Sequence, residues 1–195
     1  VIPLALLAMT GLIVAAYKLT NDHNLARIAA GTGLPLQYVQ FAAKAAHANG
    51  VPLEWVLATI IVESKGNPRA RGDAGGKSVG LMQVNVVANA KVLANAGVTS
   101  TQMFDPATNI RIGTQLLAGF KQRVLDALVG HAPSLPLDEL TRLEYKGPKS
   151  IEGAIRSGRN PLTAYPDAPQ AVTRWREALA TVRAAAGPQT IRVFS

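Results

Sequence analysis

Apolar stretches of helical period alternate along the chain with short breaks rich in glycine and proline. Leu53, Val56, Leu57, Ile60 and Ile61 recur at i, i+3, i+4, i+7 and i+8, the spacing of a helix with one buried face. Residues 36–49 read as a preceding helix, closed at Asn49-Gly50, where glycine suits a left-handed cap. Pro52 then opens the next helix, where its missing N–H costs little. Residues 20–35 read as a short helix and a turn around "GTGLP". Residues 66–80 form a glycine-rich loop, and a helix is expected over about 85–96. Asp105-Pro106 marks the start of a long helix, and residues 131–138 hold two prolines and read as a linker. A short helix over 138–145 ends at Gly147-Pro148; residues 150–169 read as loop and 169–186 as a last helix.

The first 17 residues, "VIPLALLAMTGLIVAAY", carry no charge. As a helix they span about 26 Å, just short of a bilayer core of about 30 Å. A signal peptide would carry a basic n-region, which this stretch lacks. The expectation is therefore an apolar helix over 1–19, either a membrane anchor or a helix that packs in an assembly. One domain over 20–186 and a tail over 187–195 complete the organisation expected from length.

Composition narrows the picture. Long Ala-rich stretches with few β-branched runs predict an all-α, or mainly α, fold. The absence of cysteine excludes disulfides, thiol catalysis and cysteine-ligated metal. Lys and Arg outnumber Asp and Glu 20 to 12, a net +8. The cations are scattered, and aromatic residues make up only 5% of the chain, so base-stacking platforms are scarce and no nucleic-acid partner is expected. Anionic lipid or an acidic wall polymer also suits the charge.

Most familiar site patterns are missing. "GDAGGKS" at 72–78 has three residues between Gly72 and Gly76 rather than four, and a helix rather than a strand before it, so it is not a phosphate loop. His23, His47 and His131 are far apart and form no HExxH pair, so no metal and no cofactor are expected. Glu63 stands out, on the edge of the apolar stripe nearest Val56 and Ile60. One reading is a solvated helix end. The other is a carboxyl kept protonated by an apolar wall, since burial disfavours the charged form; that is how a general acid for glycosidic cleavage is built. Downstream, "GLMQV" supplies Gly80, where a backbone can approach a ligand, and Gln83, which can both donate and accept. Tyr145 offers a ring face and a phenol.

Together these residues resemble a known family. Glu63-Ser64, Asn67-Pro68 and Ala70, then Gly80-Leu81-Met82-Gln83, then Phe104-Asp105-Pro106 with Asn109-Ile110 and Gly113, are similar in order and spacing to the soluble lytic transglycosylases. The resemblance covers roughly residues 50–150. It implies a lysozyme-like, mostly helical fold and peptidoglycan glycan strands as partner. The implied reaction cleaves the β-1,4 bond between N-acetylmuramic acid and N-acetylglucosamine, leaving a 1,6-anhydro ring. Glu63 would be the single catalytic acid and base. Ser64 and Gln83 would contact sugars, with Gly80 and Met82 lining the cleft beside them. Tyr145 aligns with the tyrosine of the family's "AYN.G" motif, but Lys146 stands where asparagine is usual. That departure favours an anionic muramyl lactate or stem peptide near Lys146.

Other outcomes stay open at this level. Asp73, in the glycine-rich loop, could serve as a second carboxylate and make the enzyme a lysozyme-type hydrolase. The domain could instead bind glycan without cutting it, as a component of an envelope-crossing machine. A wall-cutting enzyme with an apolar N-terminal segment suits a phage particle or a secretion system, so the expected location is the cell envelope or the virion. Residues 1–17 would then be the contact to membrane or to the other proteins of that assembly.

Overall fold

The computed structural model describes residues 22–72, 75–147 and 150–187. The expected apolar helix over 1–19, Asp73, and the tail after Gly187 lie outside the described residues. Within them the fold is mainly helical, with one small sheet. No described helix is long and apolar enough to cross a membrane.

Helix α1 (22–32) leads through Leu34-Pro35 into α2 (Leu36–Asn49). Gly50 closes α2 in the left-handed conformation, φ 59°, as the sequence predicts. The buried face of α2 includes Ala42, Ala45 and Ala46, small residues that let it lie against the later helix α5 (Pro106–Leu128). Helix α3 (Leu53–Ser64) is buried on every side from Trp55 to Ile60, so it is a central helix rather than an amphipathic one. It ends where Lys65 turns left-handed, φ 52°.

The expected loop over 66–80 contains two strands. β1 (Arg71–Gly72), β2 (Ser78–Val79) and β3 (Val84–Asn85) form an antiparallel sheet in the order β1-β2-β3. Val79 pairs with both Arg71 and Val84. The helix expected from about 85 begins late, as α4 (Ala90–Asn95). Asn85 explains the difference. Its Oδ1 accepts from the Val87 and Ala88 N–H groups, and this local bonding holds a turn where the apolar pattern alone suggests helix.

α5 is the spine, touching α2, α3, β3 and the next two helices. Asp105 caps it by accepting from the Thr108 N–H, with Pro106 in the first turn. α6 (Leu137–Lys146) and α8 (Ala168–Ala186) match expectation. The stretch 150–169 does not: it holds α7 (Ser150–Arg156) and a 3-10 turn, Pro161–Thr163. Ile151, Ala154 and Ile155 have helical spacing, but α7 is two turns long and its stripe is too short to read alone. Its apolar face joins Val124, Leu140, Leu143 and Val172 in a second core beside the main one.

A single buried amide fixes the segment after β2. Asn109, fully buried in the first turn of α5, accepts from the Met82 N–H at 2.8 Å. Its Nδ2 donates to the carbonyls of Val79, at 3.0 Å, and Met103, at 2.8 Å. Gly80 lies so close that an added Cβ would meet Asn109 Nδ2 and stand 2.6 Å from the Met103 carbonyl oxygen. Asn109→Ala removes a buried hydrogen bond from each of three backbone groups. It is expected to lower stability by about 3–5 kcal/mol. Urea unfolding of the two proteins measures this, and a loss under about 1 kcal/mol contradicts it.

Candidate active site

An open cleft of about 950 Å³ runs between the end of α3, the sheet, α5 and α6. Its described lining includes Glu63, Gln83, Gln115, Phe120 and Tyr145. Glu63 is the one carboxylate in that lining among the described residues. It sits in the last turn of α3, ahead of the left-handed Lys65, so the helix end aims it at the cleft mouth.

The immediate neighbour of Glu63 is not the expected apolar wall. Arg142, on α6, donates from Nη1 to Glu63 Oε1 at 2.5 Å. The Arg142 side chain is only 3% exposed and that of Glu63 21%. The guanidinium stands over two rings, 5.8 Å from the Tyr145 centroid and 6.0 Å from that of Trp175. Its Nε has no partner among the described residues. A charge-assisted bond of this kind fixes one carboxyl oxygen firmly. Oε2 takes no hydrogen bond from a described residue, which leaves it available to a ligand in the cleft. Arg142 lies 79 positions from Glu63, beyond the reach of any helical pattern around residue 63.

The other candidates separate into two kinds. Gln83 and Tyr145 line the cleft. Gln83 is held at φ 48° by the tight turn, and its Nε2 donates to the Gly80 carbonyl at 3.0 Å. An added Cβ on Gly72 would run into Gln83 Oε1, so β1 and the Gln83 amide lie flush. The Tyr145 hydroxyl donates to the Met82 carbonyl at 2.6 Å, and its ring meets Phe120 edge-on at 5.3 Å. Burial pushes the Tyr145 phenol well above the usual tyrosine range. The negative charge of Glu63 adds to that shift, and Arg142 opposes it. Tyr145 therefore remains a neutral donor at any ordinary working pH.

Ser64, Gly80 and Met82 sit behind the cleft. The Ser64 hydroxyl donates to the Ile60 carbonyl at 3.1 Å and accepts from the Gly66 N–H at 3.2 Å, tying off α3. Gly80 packs on Asn109. Met82 is fully buried, and a Cβ on Gly113 would come within 2.5 Å of its sulfur. Lys146 lies at the rim, its Nζ 2.9 Å from Asp167 Oδ2. The "GDAGGKS" segment begins in β1 and ends in β2, so no helix N-terminus follows it to receive a phosphate. Among the described residues no cluster of His, Asp and Glu is placed to hold a metal ion.

Several residues of the site escape a reading by motif. Arg142, Phe120, Arg123 and Gln115 are examples. One signal was present: Leu137, Leu140, Thr141 and Glu144 follow the i, i+3, i+4, i+7 stripe of α6, so a glutamate occupies an apolar slot. Glu144 is indeed fully buried, with Arg123 Nε 3.1 Å away.

A family model described as the transglycosylase SLT domain matches residues 40–181. No curated protein matches the chain.

The buried partner makes the Glu63–Arg142 pair measurable. In a double-mutant cycle with Glu63→Gln and Arg142→Met, unfolding free energies are expected to show a favourable coupling of about 1–3 kcal/mol. Arg142→Met alone should be the milder single change, because Glu63 faces the cleft and can regain water. Additive effects would show that the pair contributes nothing beyond packing.

Proposed function

The chain belongs to the transglycosylase SLT family, since the matched residues 40–181 make up most of it, and from this premise we propose that it cuts peptidoglycan glycan strands with Glu63 as the only protein acid and base. Its fold is lysozyme-like and mainly helical, and its function is of the lytic transglycosylase type, acting on peptidoglycan. The observation that carries the finer reading is the lone carboxylate in the described cleft lining. Glycosidases that use two carboxylates place the second one to activate water or to trap the sugar. Here a hydroxyl of the substrate takes that role.

The steps balance without water. Glu63, protonated on Oε2, gives its proton to the glycosidic oxygen, and the bond from that oxygen to the muramyl C1 breaks. Positive charge develops at C1 in an oxocarbenium-like state. The Glu63 carboxylate, steadied at Oε1 by Arg142, then accepts the proton of the muramyl 6-hydroxyl. That oxygen bonds to C1 and closes the 1,6-anhydro ring, and Glu63 is protonated again. Gln83 and Tyr145 flank the cleft, with the Gln83 amide placed to meet sugar polar groups and the Phe120–Tyr145 ring pair to meet a sugar face. Met82, Gly80 and Ser64 support the reading from behind, by fixing where Gln83 and Glu63 stand.

We place its action at the cell envelope, where that polymer lies. Local wall opening by a phage particle or an envelope-spanning machine is the context we favour; it rests on the uncharged stretch 1–17, outside the described residues. A second reading draws on the same ion pair. A carboxylate locked by Arg142 could serve a domain that binds glycan and does not cut it.

Turbidity of purified sacculi tests the proposal. Wild-type protein is expected to clear the suspension, and Glu63→Gln to slow clearing by at least about 10²-fold. The variant keeps a hydrogen-bond acceptor for Arg142, and its helical circular dichroism should match wild type. Clearing by folded Glu63→Gln at the wild-type rate sinks the proposal. Binding by wild type without clearing supports the second reading.

A further inference from the structure

Arg123 lines the cleft one helical turn beyond Phe120 on α5. It is a cation in a wall whose catalytic chemistry has no use for it. Its guanidinium lies 4.5 Å over the Phe120 ring. Its Nε is anchored on Glu144, a carboxylate with no exposed surface, while the Arg123 side chain itself is 42% exposed. The two terminal nitrogens make no hydrogen bond with a described residue. A guanidinium held by its inner nitrogen and by a ring face keeps its outer fork free and already oriented. That arrangement suits a carboxylate, which accepts two parallel N–H bonds from such a fork.

The wall is continuous from there to the reacting centre. Phe120 meets Tyr145, and Arg142 stands over Tyr145 while bonding Glu63. A glycan lying along this wall at Glu63 would therefore bring its next substituents to Arg123. Lys146, on the same rim, adds positive charge but already faces Asp167.

We propose that Arg123 binds a carboxylate of the muramyl side of the substrate, and so selects wall polymer over neutral glycan. The proposal rests on the glycan-cutting role of this cleft. Two carboxylates share the chemistry: the lactyl group, free where the peptide has been removed, and the acidic residues of a stem peptide.

Binding rather than cleavage tests it, in full-length protein carrying Glu63→Gln so that no turnover intervenes. Calorimetry would compare three probes of equal length: peptide-bearing muramyl strands, the same strands stripped of peptide, and an oligosaccharide of N-acetylglucosamine alone. Adding Arg123→Gln is expected to weaken binding about tenfold or more for at least one muramyl probe, and to leave the neutral probe unchanged. The difference should shrink as salt is raised. Loss confined to the peptide-bearing probe assigns the stem peptide; loss on the stripped probe assigns the lactyl group. Arg123→Lys keeps a cation for the buried Glu144 but loses the planar fork, and should give a smaller loss with the same probe preference. If Arg123→Gln does not fold, that variant decides alone. Equal weakening for the neutral probe, or no weakening for any, overturns the proposal. Wild-type protein that shows the charge preference yet clears no sacculi would overturn the cutting role instead, and leave this binding site standing.

Discussion

The site depends on one buried amide. Asn109 joins the start of α5 to the turn after β2 through both ends of its side chain. Gly80 is confined by the same contact, since only a residue without Cβ fits between Asn109 and the Met103 carbonyl. Met82 is thereby drawn into the core, against Gly113 and under the Tyr145 hydroxyl. Gln83, next in line, is forced into a left-handed turn that carries its amide along the cleft. In "GLMQ" only the glutamine faces the cleft, and its three predecessors hold it there.

Electrostatics forms the other wall. α6 carries three charges of little exposure, each matched by a helix it packs on or by the cleft. Arg142 meets Glu63 from α3, Glu144 meets Arg123 from α5, and Glu139 takes both a 2.7 Å and a 2.8 Å bond from Arg176 of α8. Buried ion pairs contribute little net stability, because removing charge from water costs about as much as their attraction returns. Their effect is to hold α6 in one register against three neighbours. Tyr145 and Arg142 are three residues apart on that helix, so the register that seats one beside the cleft seats the other on Glu63.

Much of this was legible in the chain and some was not, for physical reasons. Helices with long stripes or clear caps were readable: α2 closes at Gly50, and α5 opens at Asp105-Pro106. The sheet was not, because two-residue strands have no period to detect. α4 starts late because Asn85 prefers its own turn. Glu63, Gln83 and Tyr145 were readable as candidates, since their residue types stand out within local motifs. What surrounds them was not. An apolar wall was the local inference at Glu63, and the actual neighbour is a guanidinium from a helix 79 residues on. Pairings of that range follow from how helices pack, which no short window records.

The central claim is that one carboxylate serves as both acid and base while the sugar supplies its own nucleophile. The mass of the products tests this most directly. Sacculi digested to completion and analysed by mass spectrometry should yield muramyl ends lighter by one water than reducing ends, in the 1,6-anhydro form. Reducing muramyl ends as the main product would contradict the account, because they require an activated water and a second group to activate it.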